Sequence, residues 1–374
     1  MANPDPTHPA DRLLSMGDRQ AAIEVLEELT SSDPSFADWL KLAALYRAEG
    51  ADARALKAVD HALAVRPLDF SALLSKAVLL ERLASGDADE AFSRALAQQP
   101  EGRWPGALAT IATHARARAD AFKEASDRKL RAAADAVPPA TTEERARIDR
   151  FRTNILHDTK PFHSEPSHFH FPGLSEREFH DRSDFPWLTA LEAAVRDIES
   201  EFEGLRRSST AEQHPYLRYA DHEPIGAFGD LNHSRDWTAF HLLEDGKRIE
   251  RNASRCPRTM AALEKVRQPL VGRMSPSAMF SVLAPGTHIP PHCGVTNTRL
   301  ICHLPLTVPE GCWFRVGCEK RFWTPGEAFV FDDTIEHEAM NPSSLPRVVL
   351  IFDVWHPGLS ENERAAVAAM IASQ

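Results

Sequence analysis

A repeat of about 33 residues runs through the first hundred positions of this 374-residue chain. Pro34, Pro67 and Pro100 are evenly spaced, and each closes a stretch whose apolar residues have helical spacing. Two further sets of positions recur with the same period. One set has small side chains, Ala22, Ala55 and Ala88, and the other has large apolar side chains, Leu26, Val59 and Phe92. Because small alanine side chains let neighbouring helices approach closely, the repeat predicts stacked pairs of helices.

Helix pairs that end at a proline, with a period of about 34 residues, resemble tetratricopeptide repeats. A long helical segment at about 104–135 follows the repeats and either caps them or acts as a spacer. The resemblance implies an α-helical solenoid domain over residues 1–135. Its groove would bind a peptide or protein, or would only support the rest of the chain. A generic helical bundle is the alternative that the pattern leaves open.

The periodicity changes at about residue 278, where short β-branched and aromatic runs begin. Turn residues separate these runs at three places: Pro285-Gly286, Pro309-Glu310-Gly311 and Pro325-Gly326. Short strands at turn-separated intervals predict a β-sandwich or jelly roll. We therefore expect an α+β multidomain protein, with a helical domain over 1–135 and a β-rich domain over 136–374.

Composition narrows the classes of partner. The formal net charge of -11 argues against nucleic acid and anionic membrane surfaces as main partners. No apolar run reaches about 18 residues, so no membrane-spanning helix is expected. The N-terminal residues lack the pattern of a signal peptide, and the five cysteines are odd in number and show no CxxC spacing. These features predict a cytoplasmic protein with reduced thiols.

Two histidines stand next to predicted strand ends. His292 follows a strand and a turn, and His337 comes well downstream, just past another strand. In a jelly roll, strand ends separated in this way can meet at one mouth, where two imidazoles would suit Fe(II). Arg347 offers a guanidinium that can pair with a dicarboxylate through two parallel hydrogen bonds. Spacing alone leaves open that these histidines are structural.

Other polar residues nearby have simpler interpretations. His288 is expected to cap a strand or to orient its loop. Asp332 and Asp333 are expected to fix the loop before the second histidine rather than to bind metal. Asp353 and His356 are expected to close the last strand in a structural role.

The segment from about 161 to 357 is similar to the aspartyl/asparaginyl β-hydroxylase family of Fe(II)/2-oxoglutarate oxygenases. The matching stretches keep one collinear order: FPWLTALE, DWTAFHLLEDGKRIERNASRCPRT, FSVLAPGTHIPPHCGVTNTRL, HLPLTVPEGC, FVFDDTIEHEAMN and VVLIFDVWHP. Animal members also place tetratricopeptide-like repeats before the oxygenase domain. The resemblance implies a cupin-like double-stranded β-helix that uses Fe(II), 2-oxoglutarate as cosubstrate, and O₂.

The resemblance also implies a role for seven individual residues. They are, for the iron, His292 and His337; for 2-oxoglutarate, Ser281, His303 and Arg347; and for the substrate side, Trp237 and Arg299. In this interpretation the two histidines and Arg347 carry the catalytic function.

The chain departs from the family pattern at a few positions. Gly294 stands where the wider superfamily has a metal-binding carboxylate, and the animal β-hydroxylases share this glycine. Ile301 stands where the animal enzymes have a second arginine, so neither recognition of an acidic substrate side chain nor some of the cosubstrate contacts is implied there. Ala253 and Met260 replace a cysteine pair of the secretory members, which agrees with a reducing compartment.

The sequence is compatible with three functions. The first is β-hydroxylation of an Asp- or Asn-type residue in a peptide or protein. The second is hydroxylation of a small amino acid, a natural-product peptide or a lipid acyl chain. The third is a non-catalytic adaptor whose repeats bind a partner, against which the retention of both histidines and Arg347 counts.

Overall fold

The computed structural model describes residues 8–99, 106–137, 139, 141–220, 222–223, 225–272 and 274–373. The chain divides into two compact units, Met1–Asp158 and Thr159–Gln374. The sequence placed this division earlier, between 135 and 136. It falls later because the helix Thr142–Ile155 belongs to the first unit. Its Arg152 pairs with Asp127 of the preceding long helix, which ties the two helices together.

The described part of the first unit is helical. Its helices are α1 Pro9–Ser15, α2 Arg19–Ser32, α3 Phe36–Ala48, α4 Asp52–Val65, α5 Phe70–Arg82, α6 Ala88–Ala97, α7 Gly106–Asp135 and α8 Thr142–Ile155. Side-chain oxygens of Asp18, Ser35 and Asp69 accept backbone N–H bonds at the starts of α2, α3 and α5. Such caps satisfy N–H groups that have no partner inside the helix, so these residues fix where each helix begins.

The repeat positions form the core of this unit. The six register positions on α2, α4 and α6 are each at most 1% exposed: Ala22, Leu26, Ala55, Val59, Ala88 and Phe92. Pro34 and Pro67 lie between consecutive helices, whereas Pro100 lies outside the described residues. The helices α2, α4 and α6 therefore each bury one alanine and one large apolar side chain at equivalent positions. This confirms the stacked helical repeats that the period of the sequence predicted.

Phe92→Ala is expected to lower the free energy of unfolding of the first unit by about 3–5 kcal/mol. Its ring is fully buried against Leu74, Ala77 and Ala95, so truncation leaves a cavity. Hydrogen exchange of the α5 and α6 amides would measure the loss. Phe151→Ala, at a side chain that is 67% exposed, is the control and should change stability by less than about 0.5 kcal/mol. Equal effects of the two variants would contradict the assignment of this core.

The second unit contains two antiparallel sheets. Its strands are β1 His214–Pro215, β2 Trp237–Glu244, β3 Lys247–Arg248, β4 Ala278–Leu283, β5 Thr287–His292, β6 Arg299–Thr307, β7 Trp313–Val316, β8 Glu319–Phe322, β9 Phe329–Phe331, β10 His337–Asn341 and β11 Arg347–Trp355. Its helices are α9 Leu188–Ala193, α10 Val195–Arg206, α11 Glu250–Ala253, α12 Pro257–Leu263 and α13 Glu361–Ala372, with 3₁₀ turns at Arg182–Asp184 and Gly226–Leu231.

The larger sheet has the order β1-β2-β4-β11-β6-β9, with β3 against β2, and the smaller has the order β5-β10-β7-β8. Successive side chains of a strand point to opposite faces, and β6 shows this directly. Leu300, Cys302 and Leu304 pack with the helices on one face, whereas Ile301 packs on the other face with residues of the smaller sheet. The two facing sheets confirm the jelly-roll prediction.

In the described part of the chain, no helix combines the length and the apolar character that crossing a lipid bilayer requires.

Candidate active site

Two histidines on neighbouring strands of the smaller sheet lie side by side at one end of these strands. His292 ends β5, His337 begins β10, and the two residues are direct partners in the antiparallel pairing. Their ring centroids are 4.0 Å apart. The structure therefore brings together a pair that lies far apart in the sequence.

Backbone carbonyls fix the tautomer of both imidazole rings. Nδ1 of His292 lies 2.8 Å from the Pro290 oxygen, and Nδ1 of His337 lies 3.1 Å from the Ile335 oxygen. Since a carbonyl only accepts, each Nδ1 must donate, which leaves the lone pair on Nε2. Burial lowers the pKa of His292 to about 3 and that of His337 to about 4. Both imidazoles are thus neutral at physiological pH, as metal ligation requires.

The position two residues after His292 is closed to any side chain. A Cβ atom on Gly294 would lie 2.1 Å from Oδ2 of Asp333. The Gly294 N–H also donates to the Asp333 carbonyl at 2.6 Å, which holds the two segments together. In the described residues, no group of three His, Cys, Asp or Glu side chains is arranged to hold a metal. The protein therefore offers two imidazoles, with the buried Asp333 carboxyl group where a third ligand just after β5 would lie.

Gly294→Ala is expected to lower the free energy of unfolding of the second unit by about 1–3 kcal/mol, because the new methyl group overlaps the Asp333 carboxylate. In an Asp333→Ala background the same change should cost less, and a double-mutant cycle in urea would measure this coupling. Gly204→Ala, on an exposed face of α10 with open space around it, is the control and should stabilise by about 0.5–1 kcal/mol. Strictly additive losses would contradict the overlap.

Arg347 is a fully buried cation without a hydrogen-bonded counter-ion. It begins β11 and is 2% exposed, and among the described contacts its Nε and Nη1 atoms have no hydrogen-bond partner. Its guanidinium carbon lies 5.0 Å from the centroid of the Trp323 ring. Burial lowers the pKa of Arg347 to about 10, so the side chain keeps its charge at neutral pH. A desolvated guanidinium of this kind favours an anionic ligand.

Ser281 and His303 lie on the strands that flank β11. Trp237 Nε1 donates to Ser281 Oγ at 3.1 Å, and Trp323 Nε1 donates to His303 Nδ1 at 3.4 Å. Burial holds the pKa of His303 well below its ordinary value, with the Arg347 charge adding to the effect. The imidazole is therefore neutral, and it adds no second cation at this end of the site.

All seven residues that the sequence proposed line one cavity of about 300 Å³. Two aromatic residues that sequence reasoning missed also line it. Tyr216 stacks on Trp237, with ring centroids 3.8 Å apart, and Phe228 stands edge-on to His292 at 5.0 Å. Both precede the main strands in irregular sequence, so no motif or periodicity marked them.

The remaining polar residues have structural partners. His288 Nε2 lies 2.7 Å from a Glu338 oxygen, outside the histidine pair. Asp332 accepts from the backbone N–H of Thr334, which fixes the turn before β10. Asp353 accepts from the Ser277 N–H at 2.9 Å. His356 lies 3.2 Å from the Ser175 oxygen. Asp333 and Asp353 also border the cavity, in addition to these structural roles.

Residues 192–357 match the profile of the family described as aspartyl/asparaginyl beta-hydroxylase. This match lies within the second unit. The chain is 32% identical to human aspartate beta-hydroxylase domain-containing protein 2 over 219 residues, which are 58% of this chain and 57% of that protein. It is 32% identical to mouse aspartyl/asparaginyl beta-hydroxylase over 205 residues, which are 54% of this chain and 28% of that protein. The chain thus spans little more than half of the first relative and about a quarter of the second.

The structure also aligns with a sugar phosphate isomerase of the cupin superfamily from Silicibacter pomeroyi. The two are 13% identical, with a TM-score of 0.24, over 39% of this chain and 71% of that one. A TM-score this low does not support a common fold. The assignment of two sheets therefore depends on the strand pairing itself.

Proposed function

We propose that the protein is an Fe(II)/2-oxoglutarate-dependent dioxygenase that hydroxylates an Asp- or Asn-type residue in a peptide or protein. One observation carries the proposal: two neutral imidazoles and a buried guanidinium without a hydrogen-bonded counter-ion line the same cavity. The names of the relatives, which are aspartate and aspartyl/asparaginyl beta-hydroxylases, support the same reaction class.

His292 and His337 would hold the metal through Nε2, because both Nδ1 atoms face backbone carbonyls. Two protein ligands leave positions for a chelating keto acid and for O₂, and Fe(II) bound in this way supplies the oxidative chemistry. Phe228 stands edge-on to His292 and helps to shield this side from bulk water.

Arg347 would bind the far carboxylate of 2-oxoglutarate. Its Nε and Nη1 atoms have no hydrogen-bond partner among the described residues, so N–H groups of this guanidinium are available to a carboxylate, and the apolar surroundings strengthen the pairing. Ser281, on the neighbouring strand β4, places a hydroxyl in the same cavity. The aromatic side chains Phe314 and Phe331 form part of the wall and exclude water from the cosubstrate.

Arg347→Met is expected to raise the melting temperature of the ligand-free protein by about 2–4 °C, because it removes an unpaired buried charge. The same variant should lose the thermal stabilisation that 2-oxoglutarate with Mn(II) gives the parent protein. Arg315→Met is the control. Arg315 bonds Glu336 and Glu338, so its loss should lower the melting temperature and leave the response to 2-oxoglutarate intact. A variant at 347 that still responds to 2-oxoglutarate would refute the proposed role.

The direct test is succinate formation when the purified protein receives Fe(II), ascorbate, 2-oxoglutarate and O₂. His337→Ala should reduce this turnover by about 100-fold or more through loss of metal binding. His163→Ala, at a side chain that is 72% exposed and pairs with Glu176, should leave it unchanged. A mass-spectrometric search for peptides that gain about 16 Da in the parent strain only, and not in a His337→Ala strain, would identify substrates. A protein that binds no metal and makes no succinate would favour the adaptor function.

A further inference from the structure

A crossing segment, residues 164–171, runs in irregular conformation over both loops next to the histidine pair. One loop, residues 293–298, follows His292, and the other, residues 332–336, precedes His337. The ladder between β5 and β10 has its last pair at the two histidines, so the regular pairing of strands does not extend into the loops. Contacts of the crossing segment therefore bear directly on how the two histidine loops are held.

Backbone hydrogen bonds attach the crossing segment to both loops. The N–H of Glu165 donates to the Thr334 oxygen at 2.8 Å. The N–H of Ser167 donates to the Gly294 oxygen at 2.9 Å, and two further N–H groups of the segment donate to the Val295 oxygen at 3.0 and 3.1 Å. Gly294 comes two residues after the first histidine, and Thr334 comes three residues before the second. The segment thus links the two loops at points close to the proposed metal ligands.

A side-chain contact adds to the attachment at the second loop. The hydroxyl oxygens of Ser164 and Thr334 are 2.6 Å apart, and Thr334 is fully buried. The next residue, Ile335, forms a bridge with Ser164 and supplies the carbonyl to which Nδ1 of His337 donates. Because a hydrogen bond weakens steeply when its geometry changes, a displacement of this loop would alter the orientation of the His337 ring.

Asn297 anchors the other end of the crossing segment. Its Oδ1 atom accepts from the Phe171 N–H at 2.7 Å, and its Nδ2 atom donates to the Phe171 oxygen at 2.9 Å. A carboxamide is suited to this pairing because it accepts and donates at the same time. Asn297 is 3% exposed, so little water reaches its side chain to replace a lost bond.

The crossing segment itself adds little to the hydrophobic core. Each of its residues is at least partly exposed, so its attachment depends on the hydrogen bonds described above more than on burial of apolar surface. Ser164, Thr334 and Asn297 are not among the described residues that line the cavity. Any effect of these three residues on a bound metal ion therefore acts through the positions of the histidines.

We propose that the crossing segment determines the affinity of the site for its metal ion, and that Ser164 and Asn297 are positioning residues for the two histidines. This inference rests on the proposed function, because it takes His292 and His337 as the metal ligands. With the segment detached, the two loops would sample more arrangements, and the two Nε2 atoms would less often be placed to bind one ion. Replacing residues that orient a metal ligand typically weakens metal binding by about 10- to 100-fold.

Asn297→Asp tests the proposal on the full-length protein after its metal has been removed with a chelator. The change keeps the shape of the side chain but places an acceptor against the Phe171 oxygen, so this end of the segment should detach. The dissociation constant for Mn(II), measured from the electron paramagnetic resonance signal of the free ion, should rise about tenfold or more. An unchanged dissociation constant in the folded variant would overturn the inference.

Asn252→Asp is the matched control. Asn252 is fully buried and holds Glu212 in the same way, with Oδ1 accepting from its N–H at 2.9 Å and Nδ2 donating to its oxygen at 2.8 Å. This variant should lose a similar amount of thermal stability but keep the Mn(II) affinity of the parent. Equal losses of affinity in the two variants would indicate a general effect of destabilisation, and the inference would then be wrong.

Ser164→Ala provides a second measurement, and it decides alone if Asn297→Asp does not fold. It removes one hydroxyl from a half-buried position and should weaken Mn(II) binding by about three- to tenfold. Ser164→Thr keeps the hydroxyl and should retain the affinity of the parent. Equal affinities of the Ala and Thr variants would contradict the role of Ser164. A parent protein that binds no Mn(II) would refute the proposed function, whereas a parent that binds it and variants that match the parent would refute this inference alone.

Discussion

The antiparallel pairing of β5 with β10 is the constraint on which the site depends. It places His292 directly opposite His337, and each ring is then held by a carbonyl two residues before it in its own chain segment. The backbone thus sets the position and the tautomer of both imidazoles at once. A shift of one residue in this register would turn one ring to the opposite face of the sheet. The histidine pair is therefore as stable as the register of these two strands.

The cavity between the sheets contains charge that a core selected only for stability would avoid. Within the part of the chain that the structure describes, the buried Nε and Nη1 atoms of Arg347 and Oδ1 of Asp333 have no hydrogen-bond partner. Unpaired buried groups of this kind cost folding free energy, which the surrounding aromatic and aliphatic clusters must offset. Such a cost is typical of sites whose missing partners are ligands. For this reason the pattern of unsatisfied atoms is more informative about function than the number of ion pairs.

Gly294 shows how one small residue shapes the surroundings of the histidine pair. With no side chain there, the Asp333 carboxylate fills the space and faces Arg299. The carboxyl group beside Gly294 thus comes from the loop before β10. The same group lies 3.4 Å from Nη1 of Arg299.

The sequence by itself determined the helical repeat. Its alanine and large apolar positions recur at a constant period, and burial of these side chains is what holds the helices together. It also indicated the strands, and the family resemblance proposed the residues that line the cavity. Only the tertiary structure decided which residues lack partners, such as Arg347, and that Asp333 occupies the space beside Gly294. It alone revealed Tyr216 and Phe228, which reach the cavity from irregular segments. The physical reason is that periodicity records which face of an element is buried, whereas hydrogen bonding and charge balance depend on contacts between residues distant in the chain.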